Sequence, residues 1–245
     1  YVYNFIKRKI LTEKIINRRE IINLLAWCKK KLFKKKNLSN SAKLLFSKDC
    51  KKFYFDKTIA RISSFRKQTK IPDKIYYINN KKISKLSELI KQVNWREIFK
   101  GFPSKFHGDF HFENIIKVSK SYRLIDWREK FSNYYMYGDL YYDLAKLNHG
   151  FIVNHQKIDK KKFSILIRKN KIYIKIERRS DLKNSQKYFY EFLKKNNLSI
   201  YVVNILTSLI FLNIATLHHK PYREFLYFLG IKCLFESIKN QDKVL

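Results

Sequence analysis

Glycine and proline are nearly missing from this chain. There are five glycines and three prolines in 245 residues, and no glycine precedes Gly101. Glycine supplies the left-handed backbone that tight turns need, and proline breaks helices. A chain so poor in both is directed toward helices joined by few sharp turns. Hydrophobic residues make up 45% of it and aromatics 16%, enough to bury a sizeable core and to exclude a disordered chain despite 30% charged residues.

The periodicity agrees. Ile21, Leu24, Leu25, Cys28 and Leu32 keep the three-and-four spacing of one apolar helix face, which predicts a helix over 12–33 closed by the cations of KKKLFKKK. Ser39 or Asn40 caps a second helical region reaching about Arg66, with Phe55, Ile59, Ile62 and Phe65 facing one way. Ile75 to Ile83, with Asn79 and Asn80 in the middle, reads as a hairpin, and 86–99 as a short helix. A second hairpin follows, with Ile115, Ile116 and Val118 on one strand, a turn over 119–122, and Arg123 to Ile125 returning. Gly138 and Asp139 open a helix to about His149. A third hairpin spans 164–176, and the remainder is helical over 185–195, 199–217 and 222–239. The expected class is α+β, mostly α, with short hairpins. No repeat, linker or internal boundary is visible, so 1–245 is read as one domain.

Charge and cysteine use bound the partners. The net charge is +34, which speaks to non-specific association with polyanions and not to fold. The same excess of Lys, Asn, Ile, Tyr and Phe is the bias of an AT-rich coding sequence. That is the reading adopted here, so no specific nucleic acid is expected as partner. Cys28, Cys50 and Cys233 form no CxxC pair, which points to a reduced, cytoplasmic setting. The most apolar run, 200–217, is interrupted by Asn204, Thr207, Ser208 and Asn213, so it reads as a buried helix and no membrane span is expected. Trp27, Trp95 and Trp127 are expected in the core. His218 and His219 lack a third ligand nearby and are expected to pack at a helix end.

One stretch stands apart. FHGDFHFENII, residues 106–116, places two histidines, an aspartate, a glutamate and an asparagine within eight positions. His107, Asp109 and Asn114 have the spacing HxDxxxxN. In phosphoryl transfer an aspartate accepts or orients the proton of the attacking hydroxyl, and a neutral oxygen ligand a few residues on can help hold magnesium. A second carboxylate must come from elsewhere. Asp126 fits, because the intervening hairpin folds the chain back, and magnesium takes few ligands from the protein. Acids are also concentrated here: Asp109, Glu113, Asp126, Glu129, Asp139 and Asp143 fall between 107 and 145.

HGDFHFEN, then LIDW, then GDLYYDLAKL resemble the aminoglycoside phosphotransferase and choline kinase group, small-molecule kinases with a protein-kinase-like fold. More narrowly, FHGDFHFENII, IDWRE, YGDLYYDLAKLNHG and FLNIATLHH resemble bacterial members found with surface-polysaccharide genes. The resemblance covers most of 40–235, and its sharp motifs lie in 106–150. It implies the C-terminal lobe of such an enzyme, using ATP and Mg²⁺ to phosphorylate the hydroxyl of a sugar or an amino alcohol such as choline. Asp109 would be the catalytic base, and Asn114 and Asp126 the metal ligands. His107 would brace the loop and Asp143 would hydrogen-bond back to it, with Asp139 capping the helix. His111 and Glu113 would touch substrate. The opening YVYNFIKRKIL resembles the segment between lobes, so 1–12 is expected to be its remnant and the ATP-binding lobe to lie outside this chain. IDWREKFSN lacks the glycines usual after that motif. A non-catalytic kinase-like scaffold and a basic nucleic-acid-binding protein are the alternative functions.

Overall fold

The computed structural model describes residues 10–135, 137–154, 158, 160 and 162–240. The expected interlobe remnant, 1–12, therefore lies largely outside the described residues. Its last part begins with Ile10, which bridges to Ile116, and a 3-10 turn over Leu11–Glu13. The first helix, α1, is Arg18–Lys31. It starts later than the periodicity suggests because Asn17 caps it, its side chain accepting from the Glu20 amide at 3.0 Å. Lys29, Lys30 and Lys31 occupy its last turn, where cations oppose the helix dipole.

Ser39 caps α2 (Asn40–Lys51), which runs through a π-helical segment (Lys52–Asp56) into α3 (Lys57–Thr69). The π segment inserts an extra residue into the helical repeat. The buried stripe is therefore Phe46, Cys50, Tyr54, Thr58, Ile62 and Phe65, while Ile59 is 41% exposed. This corrects the expected face, which assumed an unbroken 3.6-residue period.

The first hairpin forms as read, from β1 (Tyr76–Ile78) and β2 (Lys81–Ile83), with Asn79 and Asn80 both at positive φ. The expected helix over 86–99 is two, α4 (Leu86–Gln92) and α5 (Trp95–Lys100). Val93 is extended between them, and Asn94 caps the second. A short β3 (Pro103–Ser104) leads into the polar stretch. Next come β4 (Ile115–Val118) and β5 (Ser121–Leu124), then β6 (Gly138–Asp139), which pairs with β3. Then follow α6 (Leu140–Ile152), β7 (Phe163–Arg168), β8 (Lys171–Ile176), α7 (Ser180–Lys195), α8 (Ile200–Ala215) and α9 (Tyr222–Lys239). The result is α+β and mostly helical, with small sheets.

Two of the hairpins join. β1 lies parallel to β8, giving a four-stranded sheet in the order β2-β1-β8-β7. Asn79 extends this junction with its side chain, donating to the Ile174 carbonyl at 2.9 Å and accepting from the Ile174 amide at 2.8 Å.

Helix α6 positions the site. Tyr142 and Ala145 enter one apolar cluster with α8 and α9. Leu140, Leu144, Leu147 and Phe151 enter a second with α1 and α7. Each fully buried Leu or Phe contributes about 1.5–3 kcal/mol, so α6 is held from two sides. Helix α8 is buried along most of its length, and each of its polar interruptions makes at least one side-chain hydrogen bond. Asn204 and Thr207 accept from Asn148, Ser208 donates to the Asn204 carbonyl, and Asn213 donates to Thr58. Among the described residues no helix is long and apolar enough to cross a membrane.

The tryptophans differ from expectation. Trp27 and Trp95 pack partly buried against the two clusters. Trp127 is 44% exposed and lies 4.7 Å from the His107 ring, covering it from solvent. His218 stacks edge-on against Tyr222 at 4.8 Å, at the start of α9.

Candidate phosphoryl-transfer site

The polar stretch forms a loop between β3 and β4 that is fixed mainly through its backbone. Asp143, wholly buried on α6, accepts from the amides of His107 at 2.8 Å and Gly108 at 2.7 Å. Burial pushes its carboxyl up to about 7, against the pull of those two donors. Asp139, four residues earlier, caps α6 by accepting from the Tyr141 amide at 3.1 Å. It also accepts from the Phe102 amide and the Tyr54 hydroxyl. Burial pushes Asp139 up to about 6. One helical turn thus carries two buried carboxylates that anchor both ends of 102–108.

His107 is wholly buried and braces the loop from within. Its Nδ1 lies 3.2 Å from the Asp109 amide and its Nε2 2.9 Å from the Ile125 carbonyl. The neutral tautomer with the proton on Nε2 satisfies both contacts. Burial lowers its pKa to about 4, in keeping with that neutral ring. Gly108 sits at φ +85, and a Cβ there would meet Arg128 Cβ and, at 2.7 Å, a Phe106 ring carbon.

Asp109 is presented at the loop's exposed side, 34% accessible. Lys146 Nζ lies 2.5 Å from its Oδ1 and His111 Nε2 3.4 Å from its Oδ2. Burial raises the pKa of this carboxyl, but His111 and the Lys146 ammonium more than offset that and hold it well below the usual carboxylate range. His111 also contacts Glu113, Nδ1 to Oε2 at 3.2 Å. Burial lowers the pKa of His111, yet its two carboxylate partners leave it raised overall.

Asn114 is buried and turns its amide nitrogen toward Asp109, 2.9 Å from the backbone carbonyl and 3.3 Å from Oδ2. Its amide nitrogen also lies 3.2 Å from His111 Nε2. The β4–β5 hairpin then returns the chain. The Ile125 amide donates to the Asn114 carbonyl at 3.1 Å, and the Ile125 carbonyl meets His107. Asp126 follows immediately, exposed and at φ +55. The hairpin turn is at Ser119 and Lys120, tighter than the expected 119–122. The missing glycines of IDWREKFSN leave left-handed backbone at Asp126 and at Ser132, φ +51. Ser132 and Asn133 are tied to Asp49, and Phe131 is wholly buried among aromatics.

The eight residues given roles from the sequence therefore stand on one loop, the hairpin end that folds onto it, and the start of the helix beneath. Asn114 and Asp126 suit a hard cation: a neutral amide oxygen and an exposed carboxylate, joined through Ile125. Among the described residues there is no cluster of three or more His, Cys, Asp or Glu side chains at metal-ligating spacing.

Sequence reasoning missed Lys146. The signal was present, since it follows Asp143 by three residues and so shares its helix face. It also missed a cavity of about 410 Å³ that opens beside Asp109 between α3, α6 and α8. A larger groove of about 810 Å³ elsewhere, lined by Phe55, Ile59, Trp95 and neighbours, contains none of the site residues. Compared with protein-family models, with curated proteins and with solved structures, the chain matches none.

Proposed function

We propose that this chain is the C-terminal lobe of a kinase-like phosphotransferase that moves the γ-phosphoryl group of ATP to a hydroxyl on a small molecule. The observation that carries the reading is the loop itself. Asp109 projects from a backbone fixed by Asp143 and His107, Asn114 turns its amide onto it, and Asp126 follows Ile125, whose backbone bonds both His107 and Asn114. In this reading the acceptor hydroxyl oxygen forms a bond to the γ-phosphorus as the bond to the ADP oxygen breaks. The hydroxyl proton passes toward Asp109 and then to water.

Asp109 orients that hydroxyl and is a weak base, since its carboxylate is strongly stabilised. Phosphoryl transfer asks mainly for positioning and charge stabilisation, so a weak base suffices. Asn114 and Asp126 would hold magnesium, which when bound neutralises charge on the phosphates. His107 and Asp143 keep the loop in shape, and His111 holds the Asp109 carboxylate from its other oxygen. A role in surface-polysaccharide biosynthesis in the cytoplasm belongs to the same proposal.

The test is ³¹P NMR of ATP incubated with Mg²⁺, a panel of sugars, sugar derivatives and amino alcohols, and the protein as its cells make it. A new phosphomonoester signal that EDTA removes is the expected result. ATP consumption absent across the panel, with the protein folded, would overturn the proposal.

A further inference from the structure

The cavity beside Asp109 has an uneven charge. Lys57, Arg61, Arg128 and Lys146 line it, and Asp109 is the one carboxylate among the lining residues. Lys146 is matched by Asp109. Among the described residues, Lys57, Arg61 and Arg128 stand in no ion pair. Lysine is common throughout this chain, but Lys57 and Arg61 are not ordinary solvated cations, and exposed Arg128 leans on aromatic rings. Lys57 and Arg61 are half-buried, with Lys57 Nζ 4.5 Å from the centre of the Phe53 ring. Arg128 lies 5.6 Å from the rings of both Phe53 and Tyr142. Burial and the neighbouring arginines lower the Lys57 ammonium to about 8. Unpaired cations gathered on a low-dielectric wall raise the local concentration of an anionic ligand.

The opposite wall is of another kind. Leu206, Leu209 and Ile210 of α8 give it an apolar face, with Asn213 one turn further on. Asn213 donates from Nδ2 to the Thr58 hydroxyl at 2.9 Å, and its Oδ1 is buried with no partner. A buried acceptor without a donor costs about 1–3 kcal/mol, which a ligand hydroxyl would recover. Neither Asn114 nor Asp126 lines the cavity, so it is separate from the residues that would hold the metal and nucleotide phosphates. Its volume falls in the range of small-molecule sites.

We propose that this cavity is the acceptor subsite and that the acceptor is a small polyhydroxylated anion, a sugar phosphate or a sugar acid. Its anionic group sits among Lys57, Arg61 and Arg128, one hydroxyl donates to Asn213, and another reaches Asp109. This rests on the phosphotransferase reading and narrows it. An amino alcohol such as choline would bring a fourth unpaired cation among three and is disfavoured.

The experiment is calorimetric titration of the protein with glucose 6-phosphate, glucuronate, glucose and choline, without nucleotide, and again with ATP and Mg²⁺ present. The anions bind at least tenfold tighter than glucose or choline, and Lys57→Met and Arg61→Gln each weaken them at least fivefold with unchanged melting temperature. Retention with ATP present fits the acceptor subsite. Competitive displacement by ATP would assign the cations to the nucleotide and overturn the proposal, as would tighter binding of choline or indifference to both substitutions. If the glucose 6-phosphate and glucuronate arms differ, the difference says which anion the site takes. Anion binding without any phosphoryl transfer would instead remove the phosphotransferase reading and leave the anion site. Transfer to a neutral or cationic acceptor would do the reverse.

Discussion

The loop over 106–126 and the cavity between α3, α6 and α8 meet at Asp109 and are built on opposite principles. In the loop each key polar group is answered from nearby. Asp143 meets two backbone amides, His107 spans Asp109 and Ile125, and Asn114 turns back on Asp109. In the cavity Lys57, Arg61 and Arg128 have no carboxylate partner, with Arg61 donating only to the Thr216 hydroxyl, and the Asn213 oxygen has no donor. A self-satisfied segment holds a geometry, and an unsatisfied one waits for a ligand. Substitutions in the loop should therefore cost stability, whereas those in the cavity should cost binding.

The sharpest way to break that contrast is Asp143→Ala. It leaves the His107 and Gly108 amides buried without an acceptor, and a loss of about 3–5 kcal/mol is expected in urea unfolding. A loss under 1 kcal/mol would mean that the loop does not depend on α6. Next comes pH. The folded state holds His107 neutral down to about 4, whereas the unfolded ring takes up a proton near 6.5. Its contribution is present above pH 6.5 and is lost as pH falls toward 4. Relative to His107→Gln, the wild type should thus lose about 2–3 kcal/mol across that window. Parallel stability curves for the two proteins would contradict the neutral, buried ring.

Gly108→Ala forces a side chain into a left-handed position facing Phe106 and Arg128, and about 2 kcal/mol of destabilisation is expected by thermal melting. The smallest effect on stability, and the most diagnostic, is Asp126→Gly. Glycine relaxes the φ of +55, so stability should hold or rise by up to about 1 kcal/mol, while Mg²⁺-dependent turnover is lost. Unchanged turnover would show that Asp126 is a turn residue alone.

The two regions also differ in how far the sequence discloses them. The loop was legible because its chemistry is local. His107, Asp109 and Asn114 lie within eight residues, Asp126 is one hairpin away, and Asp143 opens the next helix. The cavity was not, because Lys57, Arg128, Lys146 and Asn213 come from distant parts of the chain, and in a lysine-rich sequence no single cation stands out. Local rules placed the Asp139 cap and the Asn79–Asn80 turn, and narrowed the cap of α2 to Ser39 or Asn40, of which Ser39 is the one used. They failed where a few residues broke the period. The π segment over Lys52–Asp56 shifted the buried face from Ile59 to Thr58, and extended Val93 split one expected helix into two. The parallel pairing of β1 with β8 joins residues almost a hundred positions apart, and nothing in either hairpin alone announces it.

The central claim is that Asp109 orients an acceptor hydroxyl in a loop that folds without its help. The most direct measurement is ATP-dependent phosphate release to acceptor by the wild type and by Asp109→Asn, with the melting temperature of each. The account predicts a fall of about a thousandfold or more in rate, equivalent to about 4 kcal/mol of transition-state stabilisation, with both proteins still folded at the assay temperature. Equal rates in the two folded proteins would contradict it.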